Sequence, residues 1–135
     1  IHHWPLRVYY EDVDLAGIVY YANYLKYLER GRSEMVRAAG ISQVEMKAAG
    51  IVFAVRAVEA EYLKPAKYDD ELVVETRLDR LKGASFDMPQ RVMRGDEVLV
   101  TARIKVVVLS PEGRAMRLPA DIRAKVTPLM ASDSA

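Results

Sequence analysis

The chain contains no cysteine, which excludes disulfides, thiolate nucleophiles and zinc–thiolate centres together. Histidine is nearly as scarce: the only two are adjacent, His2 and His3. With no carboxylate or further histidine at helical ligand spacing nearby, the pair reads as a solvated end rather than a metal site. No apolar run approaches the roughly 20 residues that cross a bilayer, and no secretory leader is visible, so a cytoplasmic location is the expectation. An excess of one charge is missing too, since 20 Lys and Arg offset 19 Asp and Glu to leave +1. That balance speaks against a nucleic-acid binder, which carries a basic stripe. It leaves room for a phosphorylated small molecule, which needs only a few local cations.

What is present describes an ordinary globular domain. The 135 residues, 51% of them hydrophobic, suffice for one core, so a single domain over 1–135 is expected, with 131–135 as a disordered tail. Leu6 to Tyr10 is mostly apolar, β-branched or aromatic and reads as a strand. A helix is predicted from Asn23, a good N-cap type, with Tyr24, Leu28, Gly31 and Met35 at helical spacing and Leu25 and Val36 widening the stripe. Glycine inside a helix costs roughly 1 kcal/mol relative to alanine. Gly31 is therefore expected where a strand comes close to the helix. Gly40 supplies a left-handed C-cap. Ser42 and Glu45 form a capping box for a short second helix that Gly50 closes.

Beyond Gly50 the period changes to two. Strands are predicted over Ile51 to Leu63, Glu71 to Leu81, Ala84 to Met93 and Val98 to Leu109, with turns at Lys64-Pro65-Ala66, Lys82-Gly83 and Gly95-Asp96. Pro89 inside the third of these predicts an edge or a bulge. The last, the longest and most continuously apolar, is expected at the centre. Ala115 to Leu118 reads as a short final strand, and Pro119 as the start of a terminal helix. One strand, a long helix, a short helix and then four or five strands make an α+β domain, with an antiparallel sheet of about five to six strands curled around one long helix.

The chemistry concentrates where the first strand meets the long helix. Asp12 and Asp14 flank Val13, a Leu-Ala-Gly turn follows, and the helix begins a few residues on. A helix start offers unpaired N–H donors and a positive dipole that polarise a carbonyl, and a nearby carboxylate can attack it or activate water. Asp12 shares a face with Asp14 on an extended chain and reads as the residue that holds the turn. Glu29, Arg30, Arg32 and Glu34 have the spacings of ion pairs on a partly exposed helix face.

The stretch Tyr9 to Glu34, with the pattern Y-x-D-x-D-x-x-G-[IV]-V-Y-x-x-N-Y-x-x-[YF]-x-E-x-x-R-x-E, resembles the signature of the hotdog-fold acyl-CoA thioesterases. The resemblance is to the 4-hydroxybenzoyl-CoA thioesterase family and, within it, the group associated with the Tol-Pal cell-envelope system. The Val55 to Tyr62 strand, the Pro65 to Asp70 turn and the Val-rich strand near 106 also fall where that family has them. The resemblance implies hydrolysis of a thioester to a free acid and coenzyme A, with no metal or redox cofactor. Asp14 would be the nucleophile or general base. Backbone N–H groups around Tyr20, Tyr21 and Ala22 would hold the oxyanion, with Tyr21 central. Gly17 would admit the thioester, Tyr10 would line the pocket, and Ser85 would touch the pantetheine. Arg56, Lys64, Lys67, Lys82 and Arg91 are the candidates for the coenzyme A phosphates. The family also implies a homo-oligomer, a dimer or a tetramer of dimers with the site between subunits, and an acyl-carrier-protein or cell-envelope partner.

One departure stands out: Tol-Pal-associated members usually carry a histidine where this chain has Tyr21. An imidazole base is absent from this stretch, which leaves Asp14 and backbone donors. It also counts against a hotdog dehydratase, which needs a histidine beside its acid. A non-catalytic acyl-CoA sensor or envelope-associated interaction protein is the remaining alternative, against which the retained Asp14 speaks.

Overall fold

A computed structural model describes residues 1–131. The tail expected over 131–135 lies, from 132 onward, outside the described residues. Five strands form one antiparallel sheet: β1 (His2–Arg7), β2 (Val52–Tyr62), β3 (Glu71–Thr76), β4 (Ser85–Arg94) and β5 (Glu97–Leu109), in the order β1-β3-β4-β5-β2. Among the described residues three α-helices accompany it: α1 (Asn23–Ala38), α2 (Gln43–Ala48) and α3 (Ala120–Ala131). Among the described residues no helix is long and apolar enough to cross a membrane. The sheet curls around α1, the α+β arrangement expected from the order of elements and, by the resemblance, the hotdog fold.

Side chains alternate across the strands, so one face of the sheet is apolar and covered by α1 while the other is charged. On β4, Phe86, Met88, Gln90 and Val92 are buried. Arg91, facing the other way, pairs with Glu75. Two apolar clusters fill the inner side. One gathers Leu28, Val74 and Val92 with the first half of α1; the other gathers Met35, Leu78, Met88 and Phe86 with α2 and α3. Chain order on three elements puts polar residues between them, Arg32 on α1, Thr76 on β3 and Gln90 on β4.

Gly31 meets the expectation of close approach. A Cβ built there would lie 2.5 Å from Val74 Cγ1 and 3.3 Å from Thr76 Oγ1. Helix α1 ends in a Schellman motif, with Ile41 N–H on the Val36 carbonyl, Gly40 N–H on that of Arg37, and Gly40 at φ +83°. Ser42 caps α2 through its hydroxyl, which accepts from Glu45 N–H at 3.2 Å. Pro119 caps α3, its carbonyl accepting from Arg123 N–H.

Several expectations are corrected. The first strand runs over His2–Arg7 rather than Leu6 to Tyr10, so both histidines are strand residues opposite Thr76 and Glu75. Leu25 is 43% exposed, and Tyr27 takes the buried position instead. β3 stops at Thr76, short of Leu81. β5 is an interior strand as expected, between β4 and β2, but the middle position is taken by β4, and Pro89 lies inside that strand. Its carbonyl accepts from Arg77 N–H at 2.9 Å. In an antiparallel strand a residue's N–H and C=O point to the same neighbour. The missing N–H therefore faces Arg77, so this pair keeps one of its two ladder bonds before Asp79 and Asp87 exchange both of theirs. Ala115 makes only an isolated bridge to Leu109, so there is no sixth strand among the described residues.

Candidate active site

The Asp12–Asn23 segment folds into a turn locked against the start of α1. Val13 and Val19 bridge each other, Asp14 N–H donates to the Ile18 carbonyl, and Gly17 N–H donates to the Asp14 carbonyl. Gly17 has φ +78°, a left-handed conformation that glycine adopts without steric cost. One oxygen of the Asp14 carboxylate accepts from Ala16 N–H at 2.9 Å; the other has no hydrogen-bond partner among the described residues. The group is exposed at the surface of the turn.

Asp12 holds this turn from both its side chain and its backbone. Its carboxylate accepts from Tyr9 N–H at 2.8 Å, and its carbonyl accepts from Tyr20 N–H at 3.0 Å and from the Asn23 side-chain amide at 2.9 Å. The supporting part expected of Asp12 is thus its geometry. Asn23 differs from expectation: it is the first helical residue, Ala22 is the N-cap, and no side chain caps the helix. The amide is spent on tying the helix start to the acidic turn. Tyr27 lies beneath, its hydroxyl buried and turned toward the Asp12 carboxylate but short of a hydrogen bond. Burial and then that carboxylate push its pKa up.

The donors at the helix start separate cleanly. Tyr20 N–H is taken by Asp12, and the N–H groups of Asn23, Tyr24 and Leu25 bond to the carbonyls of Tyr20, Tyr21 and Ala22. The backbone N–H groups of Tyr21 and Ala22 remain without a partner among the described residues. The structure thus removes Tyr20 from the set of free donors and leaves two adjacent ones at the positive end of a 16-residue helix.

A cleft of about 270 Å³ opens beside these donors, lined by Ile18, Tyr21, Tyr24, Tyr62, Leu63 and Lys64 among others. The rings of Tyr21 and Tyr62 meet edge to face at 6.0 Å, and Tyr62 leans on Tyr24 at 5.5 Å. Tyr24 is buried and its hydroxyl accepts from Ala66 N–H at 2.9 Å, while the Ala66 carbonyl accepts from Val19 N–H. Burial raises the Tyr24 pKa against the opposing pull of that N–H. Sequence reasoning did not find the Tyr62 wall. Its only sequence signal is an aromatic closing a strand just before the Lys64-Pro65 turn.

Asp14, Gly17, Tyr20, Tyr21 and Ala22 therefore converge on one junction, and the remaining sequence candidates scatter. Tyr10 is not on a strand; it sits in a 3-10 turn, 80% exposed, with its ring against Tyr68. Ser85 and Arg91 are an even number of residues apart on β4, on the face opposite the buried Phe86, Met88 and Gln90, so within one chain they point away from α1. Of the five phosphate candidates, Lys64 lines the cleft and Lys67 bridges through its backbone to Ile18. Arg32 does not form a surface ion pair; it turns inward to the Gln90 side-chain oxygen at 3.0 Å.

A curled antiparallel sheet around one long helix, with an acidic turn clamped to that helix's start, defines the hotdog class. Residues 8–126 match the thioesterase-like superfamily, and the chain belongs to that family. It is 39% identical over 109 residues to the acyl-CoA thioester hydrolase YbgC of Escherichia coli O6:H1, covering 80% of this chain and 81% of that protein. It is 36% identical over 123 residues to the acyl-CoA thioesterase YbgC of Haemophilus influenzae, covering 90% of each. The crystal structure of a probable thioesterase from Bartonella henselae superposes with a TM-score of 0.83 at 40% identity, covering 87% of this chain and 98% of that one.

Proposed function

We propose that this protein hydrolyses acyl-CoA thioesters to a free acid and coenzyme A, with Asp14 as the reacting carboxylate. The observation that carries this reading is the pair of unpartnered N–H groups on Tyr21 and Ala22, clamped through Asp12 to the turn that presents Asp14. The activity named for the YbgC relatives supports it. The thioester oxygen accepts from those two N–H groups, which stabilise the charge that develops as the carbonyl carbon becomes tetrahedral; one such donor is worth about 10²–10³ in rate. The free Asp14 oxygen either attacks that carbon or takes a proton from the water that does. The C–S bond then breaks, the thiolate leaves as coenzyme A and takes up a proton, and water completes the acid.

In this reading the pantetheine arm lies in the tyrosine-walled cleft, with Lys64 and Lys67 toward the phosphates. Ser85 and Arg91 stay outside the acyl site of their own chain. The free edge of β2 supports a homodimer. β1, the other edge, is six residues long and carries Pro5, whereas β2 is eleven residues long with Val55 49% and Val58 45% exposed and no proline. A long, proline-free edge of this kind is normally covered. Light scattering is expected to give a dimer or a dimer of dimers, and a stable monomer would refute the pairing.

The test of the activity is thiol release by the purified protein from a panel of short, long and aromatic acyl-CoAs. Turnover of at least one is expected. Release from none would overturn the proposal in favour of a non-catalytic acyl-CoA binder.

A further inference from the structure

A second cavity, of about 150 Å³, lies between α1 and β2, walled by Val36, Phe53, Phe86, Met88 and Val106, with Arg32 and Glu29 contributing the charged part of its lining. An apolar cavity of about that volume accommodates a benzene-sized group. The cavity stands in line with the junction. From Ala22 to Glu29 is seven residues, almost two full turns, and to Ser33 eleven, about three, so both lining residues share the helix face of Ala22, about 10 Å and about 16 Å further along the axis.

Arg32 is unlike the ion-paired arginines of the surface. Arg7, Arg37, Arg91, Arg94 and Arg103 each meet a carboxylate. Arg32 is half-buried, has no carboxylate within ion-pairing distance, and makes one hydrogen bond among the described residues, to the Gln90 side-chain oxygen. Gln90 is itself fixed, its amide donating to the Leu28 carbonyl at 2.9 Å and to Thr76 Oγ1 at 3.0 Å. The guanidinium is therefore held in place at an apolar cavity with most of its five N–H donors unused. Burial lowers its pKa, against the opposing charge of Glu29. Glu29 itself is engaged by Ser33, whose hydroxyl donates to it at 3.0 Å.

We infer that this cavity receives the far end of the acyl group, and that Arg32 selects acyl chains of about six carbons ending in an oxygen acceptor, a hydroxyl or a carboxylate. The inference rests on the thioesterase reading for the position of the carbonyl. A hydrocarbon end would fill the cavity but leave the guanidinium donors without partners, whereas an oxygen takes one or two of them in a charge-assisted bond. Arg32 is thus a specificity residue that touches the distal acyl oxygen and takes no part in bond breaking.

The test is calorimetric binding of non-hydrolysable thioether analogues of hexanoyl-, 6-hydroxyhexanoyl- and adipyl-CoA. At least one oxygen-ended analogue is expected to bind about tenfold or more tighter than the hexanoyl analogue, and Arg32→Met is expected to erase the difference. The hydroxyl and carboxylate arms separate a neutral acceptor from an anion. A hexanoyl analogue that binds as tightly as both others, or a preference that survives in Arg32→Met, overturns the inference. Ala54→Leu, which narrows the cavity, provides a second route: it is expected to weaken all three analogues relative to the short acetyl-CoA thioether analogue measured beside them, and an equal effect on all four would place the acyl end elsewhere. Because these are binding measurements, they read the inference even if thiol release fails, and that separate failure would count against the hydrolase reading alone.

Discussion

The side-chain amide of Asn23 donates to the carbonyl of Asp12, eleven residues earlier, at 2.9 Å, and the same carbonyl accepts Tyr20 N–H at 3.0 Å. One backbone oxygen thus fixes the helix start against the turn that carries Asp14 two residues on. It also explains why a residue with every qualification as a helix cap does not cap. Asn23 is held one position inside the helix, where its amide reaches back across the junction.

Asn23→Ala is accordingly expected to act on rate more than on stability. Loss of one net hydrogen bond costs about 1 kcal/mol of folding free energy. Loosening the spacing between Asp14 and the Tyr21 and Ala22 donors should lower kcat by about tenfold or more with little change in KM, since misplacing reacting groups is costly. Steady-state kinetics with a melting curve separates the two effects; a fall in KM-linked binding alone would show that Asn23 shapes the cleft instead.

Gly31→Ala tests the contact between α1 and β3. Alanine is the better helix former by about 1 kcal/mol, yet its Cβ would lie 2.5 Å from Val74 Cγ1. Overpacking of that kind costs about 1–3 kcal/mol, so the variant should be net less stable in denaturant unfolding. In a Val74→Ala background the 2.5 Å contact is gone while residue 74 Cβ at 3.1 Å and Thr76 Oγ1 at 3.3 Å remain, so the same substitution should cost less than in the parent protein.

Asp70 gives the pH dependence a sign. Burial pushes its pKa up, but the Lys67 N–H at 2.9 Å and the Arg94 guanidinium at 2.8 Å outweigh burial and hold it below the ordinary value. A depressed carboxylate stabilises the fold above its unfolded pKa of about 3.9, and the contribution drains away as pH falls through the lower folded value. Asp70→Asn should therefore cost about 1 kcal/mol at pH 7, and the gap between the two proteins in melting temperature should close as the pH falls through that window. A gap that stays constant down to pH 2 would show that the carboxylate charge is irrelevant there.

The elements set by local chemistry were legible in the sequence. Ser42 and Glu45 capped a helix where the S-x-x-E pattern placed it, Gly40 ended α1, and Gly31 marked the close approach of a strand, because each depends on residues within a turn or on one steric fact. What needed tertiary partners was not. Tyr10 has strand-like chemistry, yet the Tyr9–Asp12 cap folds it into a 3-10 turn. Pro89 argued for an edge or a bulge, but it lies in the middle strand, where the sheet forgoes one bond to Arg77 and pairs again at Asp79 and Asp87. Arg32 sat among charges at ion-pair spacing, and its turn inward depends on Gln90, 58 residues away. At the junction, residue types located Asp14 and the helix start. Which N–H groups stay free depended on the Asp12 carbonyl, and no spacing rule encodes that.

Asp14→Asn tests the central claim most directly, because it keeps the size of the side chain and an oxygen for Ala16 N–H while removing the charge. Thiol release from the preferred acyl-CoA, followed with the melting temperature, is expected to fall by about 10³ or more in kcat, as for loss of a reacting group, with the fold intact. Undiminished turnover in a folded Asp14→Asn protein would contradict the assignment of Asp14 as the reacting carboxylate.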